Sequence, residues 1–234
     1  MLKQYAVFLI FFCICLQSRS NGLQAAPDTV FIRRQVVTGR PYQAIFIDRN
    51  PNSAYYRSVT HFSVARDISY RENLTLLKGS RRLLPQHPVT GIAKEWCPLY
   101  LYHNKYYAYS PSDYSMNSLV KITDSLFFRY TEDGAVPSAV DSVIYLKNGG
   151  VRMAITSQAN NHSSVTIYKI DASKGIAVFK YSDRPEGRNY QLLVDAKKIR
   201  QFPMIVNYSY QQEKVSEMDF DTPDFRKLLQ GKDK

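Results

Sequence analysis

The feature that most constrains the fold is a two-residue alternation of apolar and polar side chains, which recurs between short turns along most of the chain. In VRMAITS, which begins at Val151, the residues Val151, Met153 and Ile155 share one face of an extended strand. Arg152 and Thr156 share the other face. This pattern is typical of an antiparallel sheet with one buried face.

The same alternation, rich in Val, Ile, Thr, Tyr and Phe, predicts strands over most of the chain. The predicted strands are 29–37, 42–48, 54–65, 118–131, 139–147, 151–157, 164–170, 176–182, 190–195 and 204–210, with a hairpin at 99–109. Strand 176–182 is apolar on both faces, so it is predicted to be covered on both. Asn148 and Gly149 predict a two-residue hairpin turn, and short turns make neighbouring strands antiparallel. About ten such strands cannot stay flat, so the sequence predicts an all-β fold, a mostly antiparallel meander closed into a barrel or folded into a sandwich.

Helix is predicted at the C-terminus, in the segment DTPDFRKLLQG. Thr222 would be the N-cap, Pro223 the first helical residue and Gly231 the residue just past the end. Residues 71–94 are poor in strand formers and contain two prolines. They are predicted to form a long connection with room for a helical turn. Residues 21–234 are predicted to be a single β domain, and any boundary between two subdomains would lie in this connection.

The first twenty residues have the layout of a secretory signal peptide. Lys3 is followed by an apolar run from Ala6 to Leu16 and then by polar residues. The run is shorter than the roughly 20 apolar residues that a membrane-spanning helix needs, and no later stretch approaches that length. We therefore expect cleavage after Ser20, or alternatively after Ala25, and export of the chain to the periplasm, the cell surface or the medium.

The cysteines fit an exported protein without a disulfide. Acylation of Cys13 or Cys15 would make the chain a bacterial lipoprotein, although bulky Phe12 and Ile14 are unlike the small residues that usually precede such a site. After removal of residues 1–20, Cys97 is the one cysteine left, which excludes an intramolecular disulfide. The folded chain must then be held together by its core alone.

The chain is strongly basic, which bears on its partners. The formal net charge is +11, and removing residues 1–20 takes away Lys3 and Arg19 but no acidic residue, which leaves +9. Export makes nucleic acid an improbable partner, whereas anionic glycans, lipid headgroups or an acidic protein face suit this charge. Solubility alone would also explain it.

The hairpin 99–109 is the densest aromatic segment. A two-residue turn at Asn104 and Lys105 would pair Tyr102 with Tyr107 and place four tyrosines on one face of the hairpin, with aliphatic residues on the other. We call these four the tyrosine plate: Tyr100, Tyr102, Tyr107 and Tyr109. Such rings can stack on a sugar or another flat ligand, so the plate is the predicted binding site. Alternatively, cross-strand aromatic pairs simply stabilise the sheet.

Catalytic and metal-binding patterns are weak. Ser118 and Lys121 have a serine-x-x-lysine spacing, but residues three apart on a strand point to opposite faces. Cys97 and His103 could form a thiol and its base, yet no helix N-terminus is predicted that would activate the thiol. The four histidines show no metal-ligand spacing. A carboxylate pair assembled in space would leave no spacing signature, so a hydrolase stays open.

The sequence therefore favours an exported, non-enzymatic β protein that binds a glycan-like or lipid-like ligand at the tyrosine plate. The first alternative is a structural or assembly component of the cell envelope that binds a protein partner. The second is a hydrolase with a dispersed carboxylate pair. No cofactor, metal site, nucleic-acid partner or transmembrane span is predicted.

Overall fold

The computed structural model describes residues 29–37, 40–62, 68–79, 84–113, 118–131, 134–210 and 215–232. The predicted signal peptide, residues 1–20, lies outside the described residues. In the described part of the chain, no helix has the length and apolar character needed to cross a membrane.

The described residues form thirteen strands and three short helices. The strands are β1 (Thr29–Val37), β2 (Arg40–Asp48), β3 (Glu95–Pro98), β4 (Tyr100–Tyr102), β5 (Lys105–Ser110), β6 (Val120–Ile122), β7 (Leu126–Thr131), β8 (Gly134–Tyr145), β9 (Val151–Thr156), β10 (His162–Asp171), β11 (Ile176–Tyr181), β12 (Tyr190–Asp195) and β13 (Met204–Ser209). The helices are α1 (Tyr55–Val59), α2 (Ile68–Gly79) and α3 (Phe225–Leu228), with a 3₁₀ turn at Ile199–Gln201. The predicted all-β fold with a short C-terminal helix is confirmed.

Eight strands close into an antiparallel barrel in the order β10-β11-β12-β3-β6-β7-β8-β9. The predicted alternation fixes which side chains point inward, because a strand's successive residues face opposite sides. The inward residues that fill the barrel are Trp96, Val120, Ile122, Phe127, Val140, Val151, Met153, Ile155, Val165, Ile167, Ala177, Phe179, Tyr181 and Leu193. The barrel interior is therefore a packed core.

A second sheet of five strands, ordered β1-β2-β13-β5-β4, lies against the outside of the barrel. Its strand pairs are antiparallel except β13 with β5, which is parallel. One hydrophobic cluster joins the two, with Cys97, Tyr168, Ile176, Val178, Leu192 and Val194 from the barrel and Ala44, Phe46, Ala108, Met204 and Val206 from the sheet. Since β4 and β5 lie between β3 and β6 in the chain, the barrel and the sheet are interleaved in sequence.

The predicted strand 54–65 is wrong in its first half, because residues 55–59 form α1, while residues 63–65 lie outside the described residues. Tyr56 and Val59, three positions apart, are both buried between the sheet and the barrel. The Tyr56 hydroxyl donates a hydrogen bond to the carbonyl of Phe202 at 2.5 Å. A strand would turn Tyr56 and Val59 to opposite sides, so tertiary burial overrides the strand propensity of this segment.

Residues 68–79 form a twelve-residue helix, α2, which begins before the predicted connection 71–94 and is longer than one helical turn. Leu77, which is fully buried, packs on Leu126 and Phe128 at the outer side of the barrel. The predicted single strand 118–131 is instead two strands, β6 and β7. They are separated by a turn in which the Thr123 hydroxyl accepts a hydrogen bond from the Leu126 backbone N–H at 3.0 Å.

Two local boundaries also differ from prediction. The β8–β9 loop has three residues, Lys147 to Gly149, because Tyr145 pairs with Val151 and Leu146 hydrogen-bonds Gly150. Gly149 has φ +78°, the left-handed residue that closes such a three-residue loop. Helix α3 is capped by Asp224 rather than Thr222, since the Asp224 side chain accepts the Lys227 backbone N–H.

Candidate functional site

The tyrosine plate lies on one face of the β4–β5 hairpin, but the predicted register is wrong by two residues. Tyr100 pairs with Tyr107, and Tyr102 pairs with Lys105. The turn is His103-Asn104, whose φ angles of +47° and +61° suit a turn that needs two left-handed residues. Because the shift is two residues, every side chain keeps its face, and the four tyrosines stay together.

A segment that we call the C-terminal strap, residues 215–221, covers the tyrosine plate. The Phe220 ring lies 4.5 Å from the Tyr100 ring and 4.9 Å from the Tyr109 ring. Tyr107 and Tyr109 are 7% and 6% exposed. The opposite, aliphatic face of the hairpin packs in the main core, as predicted. Tyr102, near the tip of the hairpin, is half-buried and contacts His103 and Tyr107 rather than Phe220. A ligand could therefore reach Tyr100 and Tyr109 only by displacing the strap.

Glu217 anchors the strap to the plate. Its carboxylate accepts hydrogen bonds from the hydroxyls of Tyr109 and Ser112, from the Asn207 amide at 3.0 Å, and from the backbone N–H groups of Ser112 and Asp113 at 3.0 and 3.1 Å. Burial raises the pKa of Glu217, but the hydrogen bonds from Ser112, Tyr109 and Asn207 outweigh it and leave the pKa below its ordinary value. Five donors occupy the two oxygens of the carboxylate, so Glu217 serves to hold the strap in place.

A pocket of about 250 Å³ lies on the outer wall of the barrel, between β9, β10, β11 and the loop that leads to β12. We call it the basic pocket. Its lining consists of Arg152, Ser164, Thr166, Tyr168, Lys180, Tyr181, Ser182, Arg184 and Asn189. Three of these side chains are cationic, and none is a carboxylate.

The strand register brings the cations of the basic pocket together. Thr166 of β10 pairs with Arg152 of β9 on one side and with Lys180 of β11 on the other. All three therefore stand in one row on the outer face of the barrel. Arg152 Nε donates to the Thr166 hydroxyl at 3.2 Å, which aims the guanidinium across the row.

The third cation, Arg184, comes from the β11–β12 loop. Its guanidinium carbon lies 3.9 Å from the centroid of the Tyr181 ring, while Lys180 Nζ lies 5.6 Å from the Tyr190 ring centroid. The neighbouring carboxylate, Asp183, is paired instead with Arg129 at 3.1 Å. Within the described ranges, none of the three pocket cations has a carboxylate partner.

Polar side chains complete the basic pocket. The Ser182 hydroxyl already accepts the Ser164 backbone N–H at 2.7 Å, so its own proton is free to point elsewhere. Asn189 Oδ1 is buried without a hydrogen-bond partner among the described residues. An amide side chain carries both an acceptor and a donor, so rotation about its last bond lets Asn189 present either one to a ligand. Hydroxyls, an amide and three cations are together the groups that bind an oxyanion.

One cluster resembles a catalytic triad in composition only. The Thr156 hydroxyl lies 2.5 Å from Asp141 Oδ2 and 2.8 Å from His162 Nδ1. In a triad the imidazole stands between the nucleophile and the carboxylate, whereas here the hydroxyl is in the middle and donates its proton to Asp141. Thr156 is also fully buried. The three side chains tie β8, β9 and β10 together.

The other catalytic candidates do not assemble either. Lys121 Nζ is paired with Glu95 at 2.8 Å. Ser118 precedes β6 and uses its carbonyl to accept the Gln191 amide. In the part of the chain that the structure describes, no group of three or more His, Cys, Asp or Glu side chains could hold a metal ion.

Cys97 is buried in β3, whereas His103 lies at the exposed tip of the β4–β5 hairpin. The thiol donates to the Val59 carbonyl at 3.2 Å. Burial, with smaller contributions from Glu95 and Asp195, raises the pKa of the Cys97 thiol far above its ordinary value.

We expect native Cys97 to react with a disulfide reagent such as DTNB at least about a hundredfold more slowly than the urea-unfolded chain, because both thiolate formation and access are suppressed. The release of thionitrobenzoate at pH 8 measures this in the variant Cys13→Ser with Cys15→Ser, in which Cys97 is the one thiol. A fast native reaction would contradict the burial of this thiol.

Comparison of the chain with protein-family models, with curated proteins and with solved structures finds no match.

Proposed function

We propose that this protein is a non-enzymatic binding protein that holds an anionic ligand in the basic pocket. The observation that carries the proposal is the convergence of Arg152, Lys180 and Arg184 on a pocket without a lining carboxylate. Three like charges repel one another, so an arrangement of this kind is favoured when an anion is bound between them. The net positive charge of the chain would also draw such a ligand in.

The cations, hydroxyls and amide of the basic pocket suit a ligand that carries an oxyanion, such as sulfate, phosphate or carboxylate, on a small polar group. A volume of about 250 Å³ matches a single sugar unit or lipid headgroup better than a large ligand. Arg152 is exposed, so the rest of a longer molecule can extend into solvent. Sulfate and carboxylate on a glycan, or phosphate on a headgroup, share this chemistry, in line with the glycan-like or lipid-like ligand that the sequence favours.

Binding at the tyrosine plate stays a prediction, and at Tyr100 and Tyr109 it would need the C-terminal strap to move. Export and the extracytoplasmic location also stay proposals, since residues 1–20 lie outside the described residues. The basic pocket is the better candidate site because its charges have no competing partner in the described chain.

The assembly alternative has one observation in its favour. Strand β1 is an edge strand of the second sheet, and Val30 and Val36 on it are 45% and 50% exposed. Unpaired edges of this kind can accept a strand from another protein. Saturable binding of a small anion would distinguish the two functions, because the binding protein requires it and an assembly component does not.

The proposal is tested by isothermal titration calorimetry with glucosamine 6-sulfate, glucuronate and glucose 6-phosphate at about 20 mM and about 150 mM salt. We expect saturable binding of one molecule per chain for at least one probe, weaker at the higher salt concentration. The double substitution Lys180→Gln with Arg184→Gln is expected to lower that affinity at least about tenfold, since it removes two charged hydrogen-bond donors.

The matched control removes the same two charges elsewhere. Arg57 on α1 and Lys105 on the β4–β5 hairpin are exposed and do not line the basic pocket. The variant Arg57→Gln with Lys105→Gln is expected to bind like the parent. Equal losses in both variants would mean that net charge alone attracts the probes, and the absence of binding by every probe would refute the proposal.

A further inference from the structure

A second pocket, of about 340 Å³, lies at one mouth of the barrel, and we call it the mouth pocket. It is formed by the end of β10, the start of β11, the end of β12 and the residues before β3. Its lining consists of Gly91, Ile92, Ala93, Trp96, Lys169, Ala172, Gly175, Ile176, Asp195 and Lys198. The basic pocket shares none of these residues.

The floor of the mouth pocket is apolar. Trp96 is 3% exposed, and its ring stands 5.1 Å from Phe179 inside the barrel. The indole N–H already donates to the Ala93 carbonyl at 2.8 Å. Because this donor is satisfied, the small part of the ring that reaches the pocket is apolar, and the half-buried side chains of Ile92 and Ala93 extend this apolar surface.

One cation in the mouth pocket is available to a ligand. Lys169 continues the inward-facing positions of β10 after Val165 and Ile167. Its Nζ lies 3.9 Å from the points where Cβ atoms on Gly91 and Gly149 would stand, so the ammonium lies close to the backbone of both loops. No hydrogen-bond or ion-pair partner of Lys169 is found in the described ranges.

The other charged side chains of the mouth pocket are engaged. Lys198 Nζ donates to the carbonyls of Ala172 and Ser173 at 2.9 and 3.0 Å, and so holds the β10–β11 turn in place. Asp195 Oδ1 accepts the Lys197 backbone N–H at 3.0 Å. Two lysines against one aspartate leave the lining with one net positive charge, which suits a monoanion.

We propose that the mouth pocket binds a monocarboxylate with an apolar body, such as a medium-chain fatty acid. The carboxylate pairs with Lys169, and the apolar body lies against Ile92, Ala93 and the accessible edge of Trp96. The volume is within the range of small-molecule sites, and the mixture of an apolar wall with one convergent charge is their usual composition. This site is independent of the basic pocket, whose three cations favour a more polar anion.

Trp96 makes the test direct, because it is the one tryptophan of the chain. We expect its fluorescence to change with saturation when octanoate is added, and to change at much higher concentration with 1-octanol, which has the same body without the charge. Calorimetry with octanoate measures the same binding independently of the fluorescence.

Three variants separate the contributions. Lys169→Met is expected to weaken octanoate binding about tenfold or more while leaving 1-octanol unchanged, because it removes a charge-assisted hydrogen bond but keeps an apolar stem. Ala172→Phe, at an exposed position of the pocket wall, is expected to abolish binding of both by filling the pocket. Lys147→Met, on the exposed β8–β9 loop, is the control and is expected to bind octanoate like the parent.

Two results would overturn the proposal. The first is octanoate that produces neither a fluorescence change nor heat. The second is a Lys169→Met variant that binds octanoate as well as the parent, since Lys169 would then contribute nothing to recognition.

Discussion

Replacing Phe179 with alanine is expected to lower the free energy of unfolding by about 3–5 kcal/mol. Phe179 is fully buried inside the barrel, between Trp96 at 5.1 Å and Tyr181 at 6.4 Å between ring centroids. A closed barrel cannot collapse into the space that the ring leaves, because each strand is hydrogen-bonded on both sides. Urea unfolding followed by circular dichroism measures the loss.

The control for this prediction truncates an exposed apolar side chain in the same barrel. Ile144 on β8 is 55% exposed. Ile144→Ala is expected to change the free energy of unfolding by no more than about 0.5 kcal/mol, as is usual for surface substitutions. If Phe179→Ala costs as little as that, the barrel interior holds water or a ligand rather than a packed core.

Much of the barrel follows from local sequence, since alternation and turn residues act over a few positions. Strand β12 has the predicted bounds 190–195, and β9 and β11 end one residue earlier than predicted. The two apolar faces of β11 are also explained. Phe179 and its neighbours at alternate positions fill the barrel, while Ile176 and Val178 pack against the second sheet.

The error at 54–65 has a different cause. Tyr, Val, Phe and Thr favour strands and outnumber the helix formers Ala and Arg in this segment, so local preference predicts the wrong element. What decides the conformation is the distant Phe202 carbonyl, which pairs with Tyr56 across 146 positions of sequence. No local pattern contains that partner.

The basic pocket is likewise invisible in the sequence. Arg152, Thr166 and Lys180 are each separated by fourteen residues, and no motif links them. They meet because the β9–β10 and β10–β11 turns set a register in which they stand side by side. A register shift of one residue would turn Thr166 into the barrel, so the site exists only once the turns are correct. The net charge was the one usable signal.

The grouping of the tyrosine plate was predictable from the sequence, but its contacts with the C-terminal strap were not. Side chains alternate between the two faces of a strand, so the four rings lie on one face in the predicted register and in the observed one. Their grouping is therefore predictable from the sequence. Their covering is not, because Glu217 is 108 positions away from Tyr109. The plate is the surface on which the C-terminal strap packs, and binding of a ligand there stays a prediction.

Replacing Glu217 with glutamine is expected to lower the free energy of unfolding by about 2–3 kcal/mol and to loosen the C-terminal strap. The amide would place an NH₂ group among five donors, so at least one buried donor would lose its acceptor. Hydrogen exchange at the Met218 amide, which donates to the Tyr109 hydroxyl at 3.2 Å, reports the strap directly. Asp219→Asn is the control, since Asp219 is exposed in the same strap and is expected to leave exchange unchanged.

Protonation of Glu217 at low pH should loosen the C-terminal strap of the parent protein, as the Glu217→Gln substitution does. The pKa of Glu217 is lower in the folded chain than its ordinary value of 4.5. The stabilisation is therefore fully present above about pH 4.5 and is lost as the pH falls through the lower folded pKa. Exchange at Met218 should accelerate relative to the barrel amides as the pH falls below about 4.5 in the parent, but not in Glu217→Gln, which has no proton to take up. A strap whose relative protection is unchanged over that range, or a Glu217→Gln variant that matches Asp219→Asn, would show that the aromatic contacts of Phe220 hold the strap without the carboxylate.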